Sequence, residues 1–146
     1  MTALSRHLAT IDVLRGRPFP ERPGSSAGVT AGPGYHLAEL STSEGFWEDD
    51  GAGRSAAEEQ CAAECAALSL LLTERWGEPD LVSPLGTRLR AAAGEAVPEP
   101  WCGLSFGVPC LEVWRADGRW IALGVSQQQE DLPFQLVAAV TEIDPP

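Results

Sequence analysis

The chain has 146 residues, enough for one ordinary domain and too few for two well-buried cores. Hydrophobic residues make up 44% of it, so it can bury a real core rather than remain disordered. With 21 acidic residues against 10 basic ones the net charge is −11, a surface that repels nucleic-acid phosphates and anionic lipid.

Nucleic acid and membrane are therefore not expected as partners, whereas a basic protein would be steered in; the same charge also serves plain solubility. All ten basic residues are arginine, and neither lysine nor asparagine occurs, which excludes catalysis by lysine and reads as GC-rich bacterial coding sequence. No apolar run reaches the ~18 residues of a membrane-spanning helix. The opening Met1-Thr-Ala-Leu-Ser-Arg-His7 lacks the apolar stretch of a leader. A reducing cytoplasm is the expected location, with the four cysteines as free thiols.

Residues 3–15 carry Leu4, Leu8, Ile11 and Leu14 at helical spacing and predict a short helix. Residues 16–34 hold Pro18, Pro20, Pro23 and Pro33 among five glycines, a density that predicts a loop or mobile arm rather than regular structure. Tyr35 to Ser41 reads as a strand, and the acidic segment from Glu44 to Gly53 as a loop. The clearest helix follows. Ser55 and Glu58 have the spacing of a capping box, and Cys61, Cys65, Leu68, Leu72 and Trp76 step along one face. Gly77 and Pro79 stop it. Residues 81–95 are ambiguous between a strand at Leu81-Val82 and a second short helix.

The C-terminal third is sharper. Leu111 to Ala116 and Arg119 to Val125 flank Asp117-Gly118, the dipeptide of a type I′ hairpin turn. Gln127 to Pro133 is polar and reads as a loop, and Phe134 to Ile143 completes a meander. The two-residue turn sets Arg115 opposite Trp120 and Trp114 opposite Ile121. One face then carries Cys110, Trp114, Ile121, Leu123 and Val125, and should pack on the long helix. The other carries Leu111, Val113 and Trp120, with Arg115 placed for a cation–π contact. Either a second layer, such as the N-terminal segment, covers that face, or the face binds a partner.

Candidate chemistry is sparse. Cys61 and Cys65, with Cys102 and Cys110, do not match the paired short spacings of zinc sites, and the first two lie in an apolar stripe where cysteine acts as a small hydrophobe. The two histidines, His7 and His36, lack any nucleophile motif around them. Glu48-Asp49-Asp50-Gly51 lacks the alternation of a calcium loop, and Glu130-Asp131 reads as solvated. Gly32-Pro33-Gly34 lacks the spacing and lysine of a phosphate-binding loop. No catalytic residue, metal site or cofactor is implied.

Leu72-Thr-Glu-Arg-Trp-Gly-Glu-Pro79, Val113-Trp-Arg-Ala-Asp-Gly-Arg-Trp-Ile-Ala-Leu-Gly-Val125 and Glu130-Asp-Leu-Pro-Phe-Gln-Leu136 resemble small acidic actinobacterial proteins of unknown function. In size and charge the chain is also similar to small acidic bacterial immunity proteins, α+β domains that bind a toxin through carboxylates and aromatics. Neither resemblance brings a catalytic residue. The expectation is a single α+β domain over residues 1–146, with one long helix on an antiparallel sheet that ends in a three-stranded meander. Its expected function is a non-enzymatic, immunity- or adaptor-like protein-binding module. Trp120, Arg115, Val113 and Leu111 would form the partner surface, with self-association as one form of binding. The alternative is a small-molecule binder or enzyme with a pocket between helix and sheet, lined by Trp76, Trp101 and Trp114, with His36 or a cysteine supplying polarity. A third possibility is a zinc-stabilised fold.

Overall fold

The computed structural model describes residues 3–26, 28–42, 52–105, 107–127 and 134–145. Its element order is α1 (Ala3–Gly16), β1 (Gly24–Ser26), β2 (Val29–Gly32), β3 (Tyr35–Thr42), α2 (Ala52–Trp76), β4 (Asp80–Val82), α3 (Leu85–Ala92), α4 (Trp101–Ser105), β5 (Leu111–Ala116), β6 (Arg119–Ser126) and β7 (Gln135–Thr141). The strands form one antiparallel sheet in the order β1-β2-β3-β7-β6-β5-β4. The fold is α+β, as the patterning predicts. The expected loops at Glu44–Gly53 and Gln127–Pro133 fall largely outside the described residues.

The hairpin forms with the expected register: Ala116 faces Arg119, Arg115 faces Trp120 and Trp114 faces Ile121. Asp117 and Gly118 both take positive φ, 52° and 78°, as a type I′ turn demands. β7 pairs antiparallel with β6, which makes the meander, and β3 joins on its far side.

Side chains of the central strands alternate between two apolar clusters. Trp114, Ala116, Ile121, Leu123, Leu136, Ala138 and Val140 meet Ile11 and Leu14 of α1 and Cys61, Leu68 and Leu72 of α2. The stripe predicted on α2 is therefore its core face. Leu111, Val113, Ala122, Val137 and Ala139 point the other way and meet Trp101 and Leu104 of α4. Because both faces of β5, β6 and β7 are covered, their sequences read as nearly continuous apolar runs instead of a clean alternation.

Four expectations need correction. The sheet carries more than one long helix: α1 packs beside α2 on the same face, and α3 and α4 are short. α2 begins at Ala52, so Ser55 lies inside its first turn and is not the cap. Cys110, expected on the helix-packed face, lies just before β5 and is exposed. Finally, residues 16–34 are not all loop. Gly28 takes φ 79° and Gly34 φ 84°, so the glycines turn the chain while Thr30 and its neighbours pair along the outer edge of β3 and Ser25 and its neighbours pair along β2. Glycine and proline end these strands without preventing them, because edge strands tolerate both.

Polar anchors tie the layers together. Gly77, at φ 85°, closes α2 by donating its N–H to the Thr73 carbonyl at 2.8 Å. The buried Trp114 indole donates to the Gly77 carbonyl at 3.0 Å. Arg119 donates to the carbonyls of Leu14, Arg15 and Arg17 at 2.9–3.3 Å, satisfying the orphan acceptors where α1 ends. Trp101 donates to Ile143 O at 2.9 Å, fixing α4 against the C-terminal segment.

Candidate functional site

α3 is turned inside out. At about 100° per residue, Thr87 lies opposite Leu85 and Leu89. Thr87 is the buried residue, 7% exposed, whereas Leu85 and Leu89 are 51% and 61% exposed. Arg88 and Arg90 lie to either side of this leucine ridge, and both are exposed. The helix is in contact with α4, and it buries Thr87 while its leucine ridge is offered to solvent. Leu81, on β4 just before α3, is 72% exposed. Thus three of the five exposed large hydrophobics among the described residues lie between 81 and 89. β4 is also the last strand of the sheet, paired on one side only by β5 among the described residues. On its other side no strand pairs with it among the described residues, the position of a sheet edge that a further strand can join.

The surface expected on the hairpin is smaller than its sequence suggests. Leu111 and Val113 are each 2% exposed and belong to the cluster under α4, so they are core residues and cannot touch a partner. The covering layer is α4 with Ile143, not the N-terminal segment. Trp120 is half-buried against that cluster, and its indole donates to Asp144 Oδ1 at 2.8 Å. Arg115 is exposed and stacks over the Trp120 ring at 4.9 Å, as the register predicts.

The proposed aromatic pocket does not assemble. Trp101 and Trp114 are buried in clusters on opposite faces of the sheet, and Trp76 is at the end of α2 beneath the Arg15 guanidinium, 4.8 Å from its ring. His36 lies elsewhere, on β3, where it is 2% exposed and stacks on Phe19 with ring centres 5.1 Å apart. Its Nε2 is 3.4 Å from the Arg17 carbonyl, while Nδ1 has no partner among the described residues. Burial lowers its pKa below the ordinary imidazole value, and the nearby Arg17 and Arg119 charges reinforce the shift against the Arg17 carbonyl. His36 lines a cavity of about 530 Å³ between residues 17–25 and β2–β3.

His7, on α1, is buried with Nε2 4.0 Å from Glu64 Oε2, and Ser41 donates to the same oxygen at 2.9 Å. These are the residue types of a hydrolytic triad in the wrong order. The serine is bonded to the acid, and a nucleophile must be bonded to the imidazole that takes its proton. The cysteines are free thiols. Cys61 and Cys65 sit in the α2 core layer, and Cys102 is on α4 on the opposite side of the sheet. Burial, with Glu64 adding to it, raises the Cys61 pKa to about 11. Burial, with Glu112 adding to it, raises Cys65 to about 12. Neither carries appreciable thiolate at neutral pH.

No family model, curated protein or solved structure matches the chain.

Proposed function

We propose that the protein is a non-enzymatic protein-binding module that docks its partner on α3 and the adjoining edge of β4. The observation that carries this reading is the outward apolar face of α3. A helix that stabilised only its own domain would bury Leu85 and Leu89 and expose Thr87. Contiguous exposed apolar surface of this kind marks interaction sites, and the β4 edge offers a second mode of contact through the backbone.

Charge specifies the partner. Arg88 and Arg90 flank the leucines on a chain of net charge −11. In a two-fold dimer through this face the arginines of both copies would be brought together, at a like-charge cost. The complementary occupant is a segment with apolar side chains flanked by carboxylates. This differs from the basic partner suggested by overall charge, because contact is decided by the local patch while net charge acts at longer range.

The test is site-specific photo-crosslinking in the native host, with the photoreactive residue at Leu89 or at Leu70. Leu70 is equally exposed, on α2. The expected result is a discrete protein adduct at position 89 and none at 70, lost in the Leu85→Glu variant. The crosslinked segment of the partner should be apolar and acid-flanked. Equal labelling at both positions, or a self-adduct at 89, overturns the reading. Trp120→Glu, carried in parallel, separates α3 from the hairpin surface of Trp120 and Arg115.

A further inference from the structure

The cavity at His36 has the chemistry of a ligand site distinct from the α3 face. Its wall is formed by Phe19, Val29 and Ala31 with His36, and Arg17 and Arg22 also line it. At about 530 Å³ it has the size of a small-molecule pocket. Neither arginine has a carboxylate partner among the described residues, although the chain holds 21 acidic side chains. The Phe19 ring is already engaged, stacked with His36 and with the Arg119 guanidinium 4.2 Å from its centre. Phe19 therefore serves as a rigid wall rather than a stacking platform. His36 contributes the closed, apolar-packed end of this wall, 2% exposed and stacked on Phe19.

We infer that this cavity binds an organic carboxylate with an apolar body, the head held by Arg17 and Arg22 and the body packed on Val29, Ala31 and the neighbouring prolines. Guanidinium pairs with carboxylate through charge-assisted, bidentate hydrogen bonds. The long-range field of a chain at −11 opposes every added negative charge, which favours a monoanion over a phosphate dianion. An apolar body is required because the wall between the arginines and His36 offers mainly carbon.

The test is an NMR titration of the full chain with octanoate, octanamide and octyl phosphate, reading the backbone signals of Val29 and Ala31 and the ring signals of His36. Octanoate is expected to shift these and leave Leu85 and Leu89 unmoved. Octanamide should bind at least about tenfold more weakly, as should octanoate to Arg17→Gln and Arg22→Gln, since each loses a charge-assisted hydrogen bond. Both arginines are exposed, so these variants are expected to fold, and Arg90→Gln is the control that keeps full affinity. Equal binding of octanoate and octanamide, tighter binding of octyl phosphate, or no shift at Val29, Ala31 and His36 with any probe overturns the inference.

Discussion

Leu89→Glu and Thr87→Glu test the orientation of α3 on which the proposed docking face depends. Leu89 is 61% exposed, so folding hides at most about two-fifths of its side chain. Full burial of a leucine is worth about 1.5–3 kcal/mol, which limits the loss at Leu89→Glu to roughly 0.6–1.2 kcal/mol. Glutamate forms helix nearly as well as leucine, so propensity adds little. For a chain of this size the melting temperature should fall by no more than about 4 °C. Thr87 is 7% exposed, so Thr87→Glu places a carboxylate in a position the fold keeps from water. That should cost about 3 kcal/mol or more, a fall of roughly 10 °C. Scanning calorimetry and urea unfolding of both variants give the comparison directly. A polar-to-polar change that hurts more than a leucine-to-glutamate change is the signature of an inverted helix. If Leu89→Glu proves the more damaging, α3 is rotated the other way, Leu89 is core, and the docking face does not exist.

At Gly124 an added Cβ would lie 2.6 Å from Val108 Cγ1 and 3.3 Å from the Cys110 carbonyl, so Gly124→Ala should destabilise by about 1–3 kcal/mol. Adding Val108→Ala should cost less than the two single losses summed, which a urea double-mutant cycle reads. His36 and His7 both have folded pKa values below the ordinary 6.5, chiefly through burial. The unfolded chain thus takes up protons that the folded one refuses, and stability should fall as pH drops from 6.5 toward those lowered values. Urea midpoints across that interval measure this, and His36→Phe should flatten the slope; an unchanged slope refutes the assignment to His36. With iodoacetamide near neutral pH, Cys110 should be alkylated first, while Cys61 and Cys65 react only on unfolding, because burial raises them to about 11 and 12. Peptide mapping checks the order, and early modification of Cys65 would contradict its place in the core. Arg119→Ala removes three carbonyl contacts at the end of α1 and the cation over Phe19. A loss of about 1–3 kcal/mol is expected, with hydrogen exchange accelerated first in the last turn of α1.

The hairpin, its turn type, its register and the core stripe of α2 were all readable from residue order. Each is set by neighbours within a few positions: Asp117-Gly118 admits the positive φ angles of one turn, and the 4-3-4 spacing from Cys61 to Leu72 admits one helical face. Contacts distant in sequence decided the rest. Leu111 and Val113 carry the same signal whether a partner or the chain itself covers them, and only the docking of α4 through Trp101 and Leu104 makes them core. Thr30 becomes a strand residue because β3 offers it an edge, and Ser25 because β2 then offers the next, which local propensity amid so much glycine and proline does not reveal. The His36 cavity joins Arg17 and Arg22 to a histidine brought beside them only when residues 17–25 lie along that edge. In α3 the spacing of Leu85 and Leu89 already defines an apolar face. Which way that face points is not a property of the helix; it follows from the rest of the chain burying the Thr87 side of α3, a choice the tertiary structure alone could make.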